Sequence, residues 1–213
     1  MKSVAVLIDN MYLENLGKAY GVPKIDIEKF GNHLLEKDEE RHRTYVFDAL
    51  PYVAQEKDDL TEEQRLRIDE QKIRRNEKYR YLDRLKYLDR VAVEYGEVRA
   101  KSTTCYRCNR SFNVPIQKLV DVKLSVRLVS LAWSDKVDKI ILVTGDYDIL
   151  PAVESAEDSQ TTIRLVYGEV PESNIGTSHQ LIKKCHEKRK LTKGDLEICR
   201  LAVSPVSDSP EAQ

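Results

Sequence analysis

The feature that most constrains the fold is a set of short apolar runs, rich in β-branched residues, that alternate with stretches of helical spacing. These runs predict strands at 3–8, 43–47, 91–96, 139–144 and 162–167. Strands that alternate with helices along a chain form a mainly parallel, layered sheet. The sequence therefore predicts an α/β fold.

Helical spacing of apolar residues predicts helices at 23–36, 114–133, 148–156 and 178–190. Residues 55–90 lack Gly and Pro and are dense in Glu, Arg, Lys and Tyr, which indicates an inserted long amphipathic helix or helical pair. The predicted organisation is one domain over 1–190 with the helical insertion 55–90 and a CxxC loop at 102–113, followed by an extension at 191–203 and a disordered tail at 204–213.

Length and composition exclude several classes. The 213 residues suit one domain with an insertion and are too few for two full α/β domains. By itself, the net charge of −1 does not indicate which kind of partner the protein binds. No apolar run reaches the roughly 18 residues of a membrane helix, and the run at 4–8 is too short for a signal peptide. We therefore expect a cytoplasmic protein without a membrane partner, whose four cysteines are thiols or metal ligands.

Aspartates follow the carboxyl ends of two apolar strands. Asp9 comes directly after the first strand, and Asp146 and Asp148 follow the strand at 139–144. Asp121 lies in an apolar helical stretch, where a carboxylate is costly to desolvate unless a cation meets it. Because binding sites of parallel sheets lie beyond the carboxyl ends of the strands, we expect these carboxylates to converge if the two strands are neighbours.

Carboxylates that gather at one point cannot all stay ionised without a cation. Hard divalent ions such as Mg²⁺ or Mn²⁺ suit oxygen ligands, and they support hydrolysis of phosphodiesters. The alternative for Asp146 or Asp148 is a capping role at the start of the next helix. The pattern favours metal-dependent phosphodiester hydrolysis.

Three segments resemble the NYN domain, the PIN-like nuclease group that includes the LabA/DUF88 proteins: VAVLIDN at 4–10, QKLVDV at 117–122 and ILVTGDYDILPAVE at 141–154. The resemblance spans about residues 1–190 and implies a three-layer α/β/α, Rossmann-like fold, a divalent metal and cleavage of RNA. By position it implies that four aspartates form the catalytic and metal-binding site and that three polar residues support it. The aspartates are Asp9, Asp121, Asp146 and Asp148, and the supporting residues are Asn10, Thr144 and Lys118.

Two positions depart from the family pattern. Arg127 stands where the family often has a further Asp, and Leu119 stands where a Gly usually follows Lys118. The loss of one carboxylate leaves three outcomes open: a single metal, weak activity or no activity. A second hypothesis is therefore a PIN-like module that binds RNA or a protein partner without cutting. A third is a phosphatase built on Asp9, although Met11 occupies the place of the second Asp that such enzymes use.

Cys105 and Cys108 have the CxxC spacing that brings two thiolates to one Zn²⁺. The motif is half a site, and the candidate ligands to complete it are His179, Cys185, His186 and Cys199. With zinc, the motif is expected to hold its loop beside the active site. The alternative is a pair of loop thiols without metal.

Basic residues gather in two segments, at 72–90 with interleaved tyrosines and at 183–193. Such side chains neutralise phosphates, and tyrosines stack on unpaired bases. The candidates for RNA contacts are Lys183 and Lys184 of the second segment, together with Arg99 and Lys101, which follow the strand at 91–96. Because acidic residues are mixed into the first segment, a solvated salt-bridged helix or a homodimer contact through the insertion is an alternative.

Overall fold

The computed structural model describes residues 1–56 and 60–202. In chain order the strands are β1 Lys2–Asp9, β2 Glu39–Asp48, β3 Val91–Tyr95, β4 Glu97–Thr104, β5 Ser111–Lys118, β6 Lys139–Val143, β7 Thr162–Tyr167 and β8 Glu187–Lys190. The helices are α1 Asn10–Ala19, α2 Ile27–His33, α3 Glu62–Leu85, α4 Val120–Ala132, α5 Leu150–Ser155, α6 His179–Lys184 and α7 Lys193–Ile198. Short 3₁₀ turns lie at Tyr147–Ile149 and Pro171–Ser173.

The main sheet has the strand order β3-β2-β1-β6-β7-β8, and every neighbouring pair in it is parallel. The side chains of β1 alternate between two separate cores. Ala5 and Leu7 pack with α4, α5 and α6 on one face, while Val4, Val6 and Ile8 pack with α1, α2 and α3 on the other. The three-layer α/β/α arrangement with a mainly parallel sheet is therefore confirmed.

Each predicted strand is present, but two predicted helices were wrong in part. Residues 114–118 belong to β5, which pairs antiparallel with β4, so α4 begins only at Val120. The helix predicted over 178–190 ends at Lys184, and residues 187–190 form the edge strand β8. β8 reads Glu-Lys-Arg-Lys, and such a charged edge strand carries no apolar periodicity from which it could be recognised.

The segment around the CxxC motif is also different from the prediction. Residues 102–104 and 111–113, expected in a loop, lie in β4 and β5, and the cysteines lie in the turn between these strands. This β4–β5 hairpin leaves the main sheet at the end of β3 and returns at the start of α4. Its strands are mostly exposed, so cross-strand hydrogen bonds rather than burial define it.

The inserted segment forms a single helix in the part that the structure describes. Thr61 and Gln64 form a reciprocal capping box at the start of α3. Ile68, Leu82 and Leu85 are buried. Residues 57–59 of the predicted insertion and the tail predicted at 204–213 lie outside the described residues.

Buried charges join the amino ends of the strands. Lys139 of β6 contacts Glu39 of β2 at 2.7 Å and Glu187 of β8 at 2.9 Å. Arg164 of β7 contacts Glu39 at 3.0 Å and Glu187 at 2.6 Å. Buried ions persist only when they are paired, so this network fixes the strands at the edge opposite to Asp9.

Across residues 1–56 and 60–202, the helices lack the combination of length and apolar character that crossing a membrane requires.

Candidate active site

The central strands β1 and β6 are direct neighbours in the main sheet. Ile8 pairs with Val143, so the chain reaches Asp9 and Thr144 at the same edge. This is the condition that the sequence prediction required. The carboxyl edge therefore carries Asp9 beside the loop that leads from Thr144 to Asp148.

Asp9 is held in one orientation by its neighbours. Its side chain is buried, with 7% of the residue exposed. Oδ1 accepts the backbone N–H of Tyr12 at 3.1 Å, which caps α1, and Oδ2 accepts the hydroxyl of Thr144 at 3.4 Å. Thr144 in turn accepts the backbone N–H of Asp146 at 3.2 Å. Thr144 therefore links the first aspartate to the loop of the others.

Asp146 and Asp148 are exposed at the start of the 3₁₀ turn. Oδ1 of Asp146 accepts the backbone N–H of Asp148 at 3.0 Å, so the capping role considered from the sequence is present for Asp146. A capping carboxylate keeps further lone pairs for another ligand. Capping and cation binding are therefore compatible at Asp146.

Asp121 is the second residue of α4 and is half-buried. Burial raises its pKa, and repulsion from Asp146 and Asp148 raises it further. Burial raises the pKa of Asp9 from 3.8 to about 6; the Tyr12 N–H opposes this rise, and repulsion from Asp121, Asp48 and Asp146 adds to it. The structure thus brings the predicted aspartates within electrostatic reach of one another.

Asp48 is an additional carboxylate at this edge that was missed in the sequence. It ends β2 next to β1, where Asp9 pairs with Phe47. It is buried and accepts hydrogen bonds from the backbone N–H of Ala49 at 2.7 Å and from the amide of Asn10. The sequence contains the same signal as for Asp9, because Asp48 directly follows the apolar part of the strand predicted at 43–47.

Lys78 of α3 compensates this additional charge. Its Nζ lies 2.7 Å from Asp48 and 2.6 Å from Glu14 of α1. Lys78 is therefore an internal partner of the site and not a solvent-facing charge of the insertion. Oδ1 of Asn10 is buried beside it without a hydrogen-bond partner in the described part of the chain.

Tyr12 holds the loop that carries Asp146. Its hydroxyl accepts the backbone N–H of Gly168 at 2.9 Å and also contacts Thr177 at 3.0 Å. A Cβ at Gly145 would lie 2.6 Å from the Tyr12 ring and from the carbonyl oxygen of Gly176. The close approach requires glycine at 145, and no sequence signal identified Tyr12.

Among the predicted basic residues, those of the hairpin lie on strands that start from the carboxyl edge. Gly96, just before β4, donates its N–H to the carbonyl of Asp48 at 2.7 Å. Lys118 is exposed opposite Glu97 at the hairpin base, and Arg99 contacts Glu97 at 2.7 Å. Lys101 lies two residues farther out on the same strand.

Lys183 and Lys184 are not brought to this edge. α6 begins beside Gly145, whose carbonyl accepts the N–H of Ser178 at 3.3 Å, and runs toward the amino ends of the strands. Lys184 pairs with Glu157, beyond the end of α5, at 2.5 Å. Both lysines therefore lie at the far end of α6 from the aspartates.

Arg127 and Leu119, the departures from the family pattern, have defined environments. Arg127 contacts Glu94 of β3 at 2.6 Å and lies over the ring of Tyr45, 4.9 Å from its centroid. Leu119 adopts a left-handed conformation with φ of 70°. That conformation is the one glycine adopts freely, which explains why glycine is usual at this position.

The donor chemistry of the carboxyl edge fits a hard divalent cation. Its carboxylates repel one another, and the unpaired Oδ1 of Asn10 is a further oxygen. Within residues 1–56 and 60–202, however, no three carboxylate, imidazole or thiol groups are already arranged to hold an ion. Binding would therefore require side-chain rotation, which the exposed Asp146 and Asp148 allow.

The model of the NYN domain family matches residues 3–191. No curated protein matches the chain. A crystal structure of VPA0982, a protein of unknown function from Vibrio parahaemolyticus, is 18% identical, with 92% of this chain and 95% of that chain covered and a TM-score of 0.53. That likeness concerns the fold alone.

A crystal structure of a variant of SsGBP is 10% identical over 92% of each chain, and its TM-score of 0.22 is too low to bear on the fold. The match to the family model extends over the main sheet, the β4–β5 hairpin and the aspartates at the carboxyl edge. The chain therefore belongs to the NYN domain family, which is part of the PIN-like nuclease superfamily.

Proposed function

We propose that this protein is a metal-dependent ribonuclease that hydrolyses RNA phosphodiester bonds at Asp9, Asp121, Asp146 and Asp148. Membership of a nuclease superfamily supports the reaction class. The observation that carries the proposal is the pairing of β1 with β6, which places Asp9 at the same edge of the sheet as the loop of Asp146, with Thr144 linking the two. Carboxylates that lie this close repel one another, and a bound cation removes that repulsion.

Four carboxylates would hold Mg²⁺ or Mn²⁺, those of Asp9, Asp121, Asp146 and Asp148. When bound, such an ion lowers the pKa of water and offsets the negative charge that develops on the phosphate. Thr144 and the N–H of Tyr12 fix the Asp9 carboxylate, and the close packing of Gly145 on Tyr12 fixes the loop that carries Asp146. These residues hold Asp9 and the loop in place, while the exposed side chains of Asp146 and Asp148 would rotate to bind the ion.

Basic residues of the hairpin base would contact the RNA backbone. Lys118 and Arg99 lie near the strand end that leads into Asp121, and Lys101 extends the same surface outward. Tyr147 stands between Asp146 and Asp148 and is 50% exposed. An exposed aromatic ring beside the reacting phosphate can stack on an unpaired base, which favours a single-stranded substrate.

The alternative is a module that binds RNA or a protein partner without cutting. The ion pair between Arg127 and Glu94 favours it, because a cation stands where the family often supplies a further carboxylate. Under this alternative, RNA binds at the same edge, and products never appear.

Cleavage of labelled single-stranded and structured RNA with Mn²⁺, with and without chelator, tests the proposal. We expect products that require the ion and that disappear in Asp121→Asn, whose helix should persist because asparagine is close to aspartate in size and removes a half-buried charge that Asp146 and Asp148 repel. Tight RNA binding without products in Mg²⁺ or Mn²⁺ over hours would establish the binding module instead.

A further inference from the structure

The turn of the β4–β5 hairpin carries a thiol pair that the proposed reaction does not use. Cys105 and Cys108 are free, and Cys108 is exposed. Residues 105–110, the CxxC turn, are closed by hydrogen bonds from the Cys105 N–H to the Arg110 carbonyl at 2.9 Å and from the Asn109 N–H to the Cys105 carbonyl at 2.8 Å. Asn109 has a φ of 54°, the left-handed conformation that completes the tight turn.

The spacing of the two cysteines within this closed turn suits a shared metal ion. Cys105 and Cys108 are separated by two residues, and the hydrogen bonds that close the turn hold both in one tight bend. The geometry is therefore that of a two-ligand knuckle for a soft cation such as Zn²⁺.

The ligands considered from the sequence do not complete this site. Cys185 and Cys199 are buried in the cores on opposite faces of the main sheet. His186 accepts the backbone N–H of Ile163 at 2.9 Å, and His179 begins α6. In the described residues no third metal-binding side chain accompanies the thiol pair.

A structural zinc site needs four ligands, and the described part of the chain supplies two, which leaves two for another molecule. We propose that the CxxC turns of two copies of this chain coordinate one Zn²⁺ through four thiolates, with four thiol protons released to solvent. The turn stands at the end of eight-residue strands, which at about 3.3 Å per residue extend roughly 25 Å from the base of the hairpin. Because both strands are mostly exposed, two turns would be able to meet while the main sheets stay apart.

The basic side chains beside the thiols are compatible with a negatively charged metal site. A zinc tetrathiolate carries two negative charges, and Arg107 and Arg110 of each copy would flank it. These charges offset only part of the repulsion between two hairpins, each of which carries five basic side chains against Glu97 over residues 97–118. Coordination of the zinc must therefore overcome the rest.

Exposed aromatic residues at the hairpin end support the same arrangement. Tyr106 is 87% exposed and Phe112 is 51% exposed. Large apolar side chains at a protruding tip are unfavourable in water, and a facing copy would cover them. The predicted contact is therefore small, with zinc coordination as its main source of affinity.

The test uses the full chain, purified under reducing conditions with Zn²⁺, and measures its zinc content and its molecular mass in solution. We expect half a zinc per chain and a dimer, and a monomer after chelation. Co²⁺ substitution should give the absorption bands of a tetrathiolate. Cys108→Ser should be monomeric and lose the zinc, whereas the control Cys185→Ala should keep both the zinc and the dimer.

Several results would overturn this inference. These are a monomer with one zinc per chain, no zinc after exposure to Zn²⁺, and a Cys105–Cys108 disulfide that resists reductant. A dimer that persists in Cys108→Ser or after chelation would place the contact elsewhere, for example on the insertion helix α3. Zinc content should be unchanged in Asp121→Asn, so failure here is distinguishable from failure of the nuclease proposal.

Discussion

Lys78 of the inserted helix α3 forms an ion pair with Asp48 at the end of β2, with 2.7 Å between the ammonium and the carboxylate oxygen. Burial raises the pKa of Asp48, and the ammonium of Lys78 opposes that rise. The insertion is therefore joined to the carboxyl edge by charge as well as by its apolar residues. It carries the cation that keeps Asp48 ionised beside Asp9.

Removing Lys78 should destabilise the fold, because Asp48 would remain buried without its cation. We expect Lys78→Met to lower the free energy of unfolding by about 2–4 kcal/mol in urea denaturation. Asp48→Asn in the same chain should restore much of that loss, because it removes the unpaired charge. The control Lys72→Met, at an exposed pair on the same helix, should have no measurable effect. Equal losses in the single and double variants would contradict this account.

The raised pKa of Asp9 predicts that the metal-free protein loses stability as the pH rises. Its folded pKa of about 6 exceeds the unfolded value near 3.8, so the folded state binds the proton more tightly. The stability that this proton supplies is complete below pH 3.8 and is lost as the pH rises through 6. The loss amounts to about 3 kcal/mol.

Asp9→Asn should remove this loss of stability while keeping the cap on α1. With chelator present, we expect the variant to match the wild type near pH 4 and to melt several degrees higher at pH 7.5. Mn²⁺ should raise the melting temperature of the wild type at pH 7.5 and have little effect below pH 5. A variant that is less stable than the wild type at pH 7.5 would show that burial and repulsion of the ionised Asp9 carboxylate cost less than its hydrogen bonds contribute.

The left-handed conformation of Leu119 predicts an unusual stabilising substitution. A left-handed backbone costs a leucine roughly 1–2 kcal/mol, while glycine adopts it without that cost. Leu119→Gly should raise the free energy of unfolding by about 0.5 kcal/mol after the entropy of glycine is subtracted. Leu119→Ala keeps the strain and should not stabilise. If alanine and glycine behave alike, side-chain contacts of Leu119 decide the result instead.

The buried network at the amino edge predicts where the sheet is most sensitive to charge removal. Glu39→Gln leaves Lys139 and Arg164 facing each other with less compensation, so we expect a loss of about 2–4 kcal/mol. The neighbouring Glu40→Gln, at an exposed pair with Arg90, is the matched control and should change little. Thermal denaturation of the two variants compares the loss of a buried charge at Glu39 with the loss of an exposed charge at Glu40.

RNA affinity should depend on the hairpin and not on the far end of α6. Lys101→Ala should weaken binding to single-stranded RNA and lower the slope of log affinity against log salt by about 0.7. Lys183→Ala should leave both the affinity and the slope unchanged. A larger effect at Lys183 would place the RNA on the α6 side. An Asp146→Asn background prevents cleavage during the measurement.

The candidate site was predictable where the position of a residue follows directly from local sequence. Asp9 and Asp146 come after strands whose apolar character is complete, and neighbouring parallel strands necessarily end at one edge. Asp48 satisfied the same rule and could have been included. Lys78 could not have been predicted, because only the packing of α3 on the sheet shows which lysine of this charged helix points inward.

The hairpin was missed for a different reason. Val114 and Ile116 fit both a strand and the beginning of a helix, and Pro115 stands between them on the exposed β5. β4 is largely polar and exposed, so its identity depends on pairing with β5 rather than on burial. The apolar periodicity of β4 alone therefore does not reveal the hairpin.

The rate of RNA cleavage in Asp146→Asn tests the central claim most directly. The amide retains the oxygen that caps the 3₁₀ turn, so the variant should melt like the wild type in the presence of chelator. With Mn²⁺ and single-stranded RNA, we expect the wild type to cleave and the variant to be slower by roughly a hundredfold or more. Cleavage at the wild-type rate by the folded variant would contradict a nuclease centred on these aspartates.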